Sequence, residues 1–178
     1  MNNKNISNIQ EQVADLLSKG ADYADIFIQS GAGHSSHYED GRIEELSSST
    51  SDGCGARIII GDRTYYSHTP GAAARNISSA LSLAAESALD IKLPYDCADD
   101  SLLLEMEDKV IQPDIDFFHS LNDDIRKRSA YVRQAAFRYS VSQRNVLIIR
   151  PDGKIARDKR NYCSFSAQII TEKNGLLQ

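Results

Sequence analysis

The sequence predicts an α+β fold, with two helix-plus-antiparallel-meander units sharing a mixed or antiparallel sheet and helices packed on one face. Three observations carry this. Apolar residues recur at three-to-four spacing in three separate segments. Between them lie period-two stretches broken by turn residues. The hairpin dipeptide Asp-Gly occurs twice, at Asp40-Gly41 and Asp152-Gly153.

The first helix is expected over 7–19. Ile6, Ile9, Val13, Leu16 and Leu17 form its stripe, Ser7 with Gln10 makes a capping-box pattern, and Gly20 supplies the stop. "ADIFIQS" alternates as a strand, "GAG" at 31–33 reads as a turn, and "HSSHYED" as a second strand. Beyond Asp40-Gly41, "RIEELSSS" and "GARIII" read as two more strands separated by a polar break. Gly61-Asp62 then turns into "RTYYSH".

Thr69-Pro70 is expected to open the second helix, with threonine as cap and proline at the first helical position. Its apolar face is Ile77, Leu81, Ala84, Ala85 and Ala88. Residues 91–113 hold two prolines and no clear period, so they read as a connector with a short element near Leu102–Met106. A third helix over 114–130 has Asp114 as cap and Ile115, Phe118, Leu121 and Ile125 as its stripe. Four strands follow: "VRQAAFRYSVS", "NVLIIRPD", "GKIARDKRNY" and "SFSAQIITE". "DGRIEEL" at 40–46 answers "DGKIARD" at 152–158, which suggests duplication. The chain divides accordingly into 1–90, a connector at 91–113, and 114–178; the resemblance described below implies that the three together are one N-terminal domain.

Composition narrows the function. Twenty Lys and Arg against 25 Asp and Glu give a net charge of −5. That balance argues against direct nucleic-acid or anionic-membrane binding. No apolar run approaches the roughly 18 residues of a membrane span, and "MNNKNISNIQEQ" lacks the apolar core of a secretory signal. Cys54, Cys97 and Cys163 are widely spaced, with no C-x-x-C, which fits a reducing cytoplasm.

No active site is legible. None of His34, His37, His68 and His119 belongs to H-E-x-x-H, and His34 and His37 are expected on opposite strand faces. Cys54 lies between glycines that would leave its thiol accessible, yet no histidine is placed to activate it. A buried or half-buried small residue is the plainer reading. Glu44-Glu45 would point to opposite faces, so they are no acid/base pair. "GCGAR" lacks the G-K-[ST] ending of a phosphate loop, and Gly53 and Gly55 read instead as permitting a bulge or close backbone approach.

Certain stretches nevertheless form a recognisable series: "GADYADIFIQS", then "YEDGRIEELSSSTSDGCGARIIIGDRTYYSHT", an alanine-rich helix, "NVLIIRPDGKIARDKRN" and "SAQIITEKNG". The series resembles the N-terminal domain of the TldD/PmbA family, nearer its TldD branch. The family's fingerprint positions here are Asp40, Gly41, Gly53, Gly55 and Arg57, structural rather than catalytic. The resemblance implies a TldD-like zinc metallopeptidase, also called a modulator of DNA gyrase. Its metal motif, H-E-x-x-x-H with a later cysteine, lies in a C-terminal domain beyond any position in this sequence. The resemblance thus implies no cofactor in this chain, with zinc in the C-terminal domain. It implies a PmbA (TldE)-like partner, or self, in a dimer, and an unfolded peptide as substrate. The expected role is a non-catalytic part of the dimer and substrate enclosure. A standalone interaction module of the PmbA-like type is the alternative.

Overall fold

A computed structural model describes residues 3–93, 104 and 115–178. The element order is α1 (Asn3–Ser18), β1 (Tyr23–Glu39), β2 (Arg42–Ile60), β3 (Arg63–Pro70), α2 (Ala74–Leu89), α3 (Ile115–Arg128), β4 (Val132–Ile149), β5 (Ile155–Lys173) and β6 (Leu176–Leu177). The strands form one antiparallel sheet in the order β3-β2-β1-β4-β5-β6. The expected α+β class holds at that level.

The strands are longer than the sequence suggests. "GAG" at 31–33 is not a turn, because neither Gly31 nor Gly33 adopts positive φ and β1 runs through both. A Cβ on Gly33 would lie 3.4 Å from Ser49 Oγ and 3.5 Å from Val141 O. Glycine serves close packing there, not reversal. The serine run at 47–51 likewise continues β2. Two pairs of expected strands in the second half merge into β4 and β5. The Asp-Gly reading holds at the first hairpin, where Asp40 (φ 46) and Gly41 (φ 91) both take left-handed conformations.

Helix starts also differ. Ser7 lies inside α1, which begins by Asn3, so Ser7 is not its cap. Thr69 pairs with Cys54 and Pro70 with Gly53, so both close β3 rather than open α2. The helix begins after Ala73, whose extended φ and ψ fit an N-cap but whose methyl cannot accept a hydrogen bond. Asp52 compensates nearby: its backbone oxygen accepts the Gly71 N–H at 3.2 Å and its Oδ2 the Ala72 N–H at 3.1 Å. Asp114 and the element expected near Leu102–Met106 lie outside the described residues, apart from Leu104.

Contacts group the chain into two compact units. The first comprises 1–31, 51–107 and 144–160; the second 32–50, 108–143 and 161–178. In the first unit α1 and α2 press Ile6, Ile9, Val13, Leu16, Ile77, Leu81, Ala84 and Ala85 onto Ile26, Ile28, Ala56, Ile58, Leu147 and Ile149. The alanines of α2 allow this close approach. Leu17, expected in the α1 stripe, is 37% exposed. In the second unit Phe118 of α3 lies on Tyr38 and Phe137, with ring centroids 5.5 and 6.4 Å away. Leu121 and Ile125 pack beside it. Ile115, expected in the same stripe, is exposed.

Candidate functional site

The five residues expected to carry the fingerprint fall into two places. Asp40 and Gly41 make the β1–β2 turn. From its left-handed backbone Asp40 aims Oδ1 at the Ala135 N–H, 2.9 Å away, and pairs with the Arg126 guanidinium. Arg126 Nε also donates to Asn122 Oδ1 at 3.2 Å. One carboxylate thereby ties the turn to α3 and β4. Beside it the Tyr38 hydroxyl and His119 Nδ1 lie 3.1 Å apart, with the rings edge to face. Burial pushes the Tyr38 phenol upward. This tie between the hairpin and α3 has no visible signal in the sequence, because its partners are about eighty residues apart.

Gly53, Gly55 and Arg57 lie on β2 in the first unit. The β2–β3 register runs from Gly53↔Pro70 to Ile60↔Arg63 with no bulge. Close approach is the role of Gly55: a Cβ there would clash with the Tyr66 hydroxyl, so the phenol occupies the space that a side chain would need. At Gly53 the nearest atom to such a Cβ is Thr69 O, at 3.5 Å. Arg57 Nε donates to Asp25 Oδ1 at 3.1 Å, and its Nη2 reaches Oδ2. The Tyr23 hydroxyl donates to the same Oδ2 at 3.1 Å, and the guanidinium lies 5.5 Å from the Tyr23 ring centre. The hydrogen bond to Asp25 raises the Arg57 pKa. Asp25 is 7% exposed, and this bidentate pairing is what permits its burial.

Over the two glycines the sheet carries an open trough of about 560 Å³, rimmed by Phe27, Gln29, Tyr66, His68 and Pro70. Tyr66 and His68 stack with centroids 6.2 Å apart. The Cys54 side chain belongs to the apolar core: it is 4% exposed, with Sγ 3.7 Å from Thr69 O. Burial pushes its thiol up to about 11. The accessible thiol that its flanking glycines suggested is therefore absent, and a protonated thiol is no nucleophile at neutral pH.

The other candidates do not converge. His34 and His37 are both half-buried on β1, and His37 Nε2 lies 3.8 Å from Glu39 Oε2. Glu44 and Glu45 are both exposed. Among the described residues no group of three His, Cys, Asp or Glu could hold a metal ion. The described residues do not fit a zinc centre. No helix among them is long and apolar enough to cross a membrane.

The family model "PmbA/TldA metallopeptidase domain 1" matches residues 24–91, and "PmbA/TldA metallopeptidase central domain" matches 99–176. The chain belongs to the TldD/PmbA family. It is 25% identical over 176 residues to a Haemophilus influenzae protein named metalloprotease TldD homolog, covering 92% of this chain and 36% of that one. The fold resembles TldE from Thermococcus kodakarensis, with a TM-score of 0.62 at 15% identity, over 95% of this chain and 40% of that one. It also resembles a Thermotoga maritima protein described as a modulator of DNA gyrase, with a TM-score of 0.64 at 14% identity, over 94% and 40%. The chain thus spans about two fifths or less of the length of these TldD/PmbA relatives.

Proposed function

We propose that this chain is the N-terminal, non-catalytic part of a TldD-like zinc metallopeptidase, and that it helps form the dimer and the enclosure around an unfolded peptide. One observation carries the reading. The models for domain 1 and the central domain match in order along nearly the whole chain, while the chain spans only 36% of the TldD homolog. The partner would be a PmbA (TldE)-like protein or a second copy, and the setting a reducing cytoplasm, consistent with the free thiols of Cys54 and Cys163. The division into 1–90, 91–113 and 114–178 belongs to the same proposal and follows the order of the two models.

Co-expression with a PmbA-like partner and light scattering test this. A stable complex is expected, and the chain purified alone should retain no stoichiometric zinc and cleave no peptide. Stoichiometric zinc with peptidase activity in the isolated chain would overturn the non-catalytic assignment. A second reading, a standalone interaction module, is favoured by one feature: every residue of β5 from 155 to 168 is exposed. Sequencing the gene past codon 178 separates the two, because only the first requires an in-frame H-E-x-x-x-H.

A further inference from the structure

Gly53 is not explained by the fold around it. Its φ is not positive, and it pairs with Pro70 in an unbroken register. The nearest atom to an added Cβ, Thr69 O at 3.5 Å, lies at ordinary contact distance. A β-branched residue would suit such a strand position better. What the glycine leaves is room: it lies in the floor of the open trough of about 560 Å³ in the first unit. That trough belongs to β1, β2 and β3, whereas the last described strand, β6, pairs with β5.

The surroundings define what fits. β2 is paired on both sides, so the floor offers no free backbone group and an extra strand cannot add to it. Recognition falls to side chains. Tyr66 and His68, both exposed, form one wall, with their rings inclined by only 22°. Half-buried Phe27 and Gln29 of β1 stand opposite. Aromatic ring faces are electron-rich and attract cations. Of the residues lining the trough, Asp52 alone carries a formal charge. It is exposed at the Ser51 end, where its Oδ2 accepts the Ala72 N–H at 3.1 Å, and no cation pairs with it among the described residues. Arg57, farther along β2, is already balanced by Asp25.

We infer that this trough binds the arginine side chain of a peptide, with the guanidinium flat against the Tyr66 and His68 rings and its charge answered by Asp52. A guanidinium is planar and weakly hydrated and stacks on rings, whereas an ammonium is a compact, strongly hydrated point charge. Gln29 brings an amide oxygen that can accept a guanidinium N–H. The inference stands apart from the proposed peptidase role, because the chain alone shows the binding whether or not a partner complex forms.

The test titrates the isotope-labelled 178-residue chain with acetyl-Gly-Ser-Arg-Ser-Gly-amide and follows backbone amide shifts by NMR. Saturable shifts are expected at Phe27, Gln29, Gly53, Tyr66 and His68. Citrulline in place of the arginine keeps the shape and removes the charge, and should bind about tenfold more weakly. Asp52→Asn keeps an acceptor for the Ala72 N–H and should weaken the arginine peptide to a similar degree. Gly53→Val fills the trough from its floor and should abolish the saturable shifts in a chain that still gives a folded spectrum. Should that variant misfold, Tyr66→Leu removes a ring face at an exposed position instead, and should weaken binding about fivefold. No saturable shifts at these residues, equal affinity for the citrulline peptide, or undiminished binding by Asp52→Asn would overturn the inference. Equal affinity for a lysine peptide would overturn the assignment to a guanidinium.

Discussion

The Asp40 carboxylate accepts the Ala135 N–H and pairs with Arg126 from a left-handed backbone. Asp40→Ala removes both interactions and leaves a residue with no side-chain reason to hold φ 46. A loss of about 1–2 kcal/mol is expected in urea unfolding. Asp40→Asn should recover most of it, because asparagine tolerates the backbone and keeps an acceptor. Cys54 gives a contrasting case. Its folded thiol titrates near 11, above an ordinary value near 9, so the native state holds its proton longer than the unfolded chain. The stability from this difference is intact below about pH 9 and declines as pH rises from there through 11. The alkaline decline should be shallower in Cys54→Ala, measured by urea unfolding at pH 8 and pH 10.5. At pH 7.5 iodoacetamide should label exposed Cys163 and leave Cys54 unmodified until the chain unfolds.

The N-terminus of α2 shows how an element can form without the cap that its sequence advertises. Thr69-Pro70 has the right chemistry, but Thr69 is held in the ladder opposite Cys54. The chain then needs Gly71 at φ 91 to leave the strand before the helix can begin. Ala73 is left at the cap with no acceptor. Ala73→Ser should raise stability by about 0.5–1 kcal/mol in chemical denaturation, provided the hydroxyl reaches a first-turn N–H. The helices were legible because period 3.6 is a local property: Ile9, Val13, Ile77 and Leu81 are all buried as their spacing implies. Hairpin turns were legible because Asp40-Gly41 and Gly61-Asp62 specify backbone angles. Strand lengths were not, because Gly33 and the serines of 47–51 read locally as breaks. Their role depends on neighbours such as Val141, brought close only by the sheet. The same limit hid the Asp25–Arg57 and Asp40–Arg126 pairs, 32 and 86 residues apart in sequence.

Among the described residues two apolar clusters share no residue: one includes Ile77 and Leu81, the other Tyr38, Phe118 and Phe137. Phe118→Ala should cost about 3–5 kcal/mol, and Leu81→Ala about 2–5. Native-state hydrogen exchange distinguishes their reach. Phe118→Ala should chiefly accelerate amides in 32–50, 115–143 and 161–178, and Leu81→Ala those in 3–31, 51–93 and 144–160. Uniform acceleration by either substitution would show that the clusters open as one.

The order of the family models and the grouping of contacts cut the chain differently. The models divide it between 91 and 99, whereas each contact group draws on three separate stretches. A genetic exchange at the model boundary would give one contact group a foreign 144–160 and the other a foreign 32–50. Chimeras between family members joined there would mix both clusters at once, and inheritance should favour keeping the two halves together.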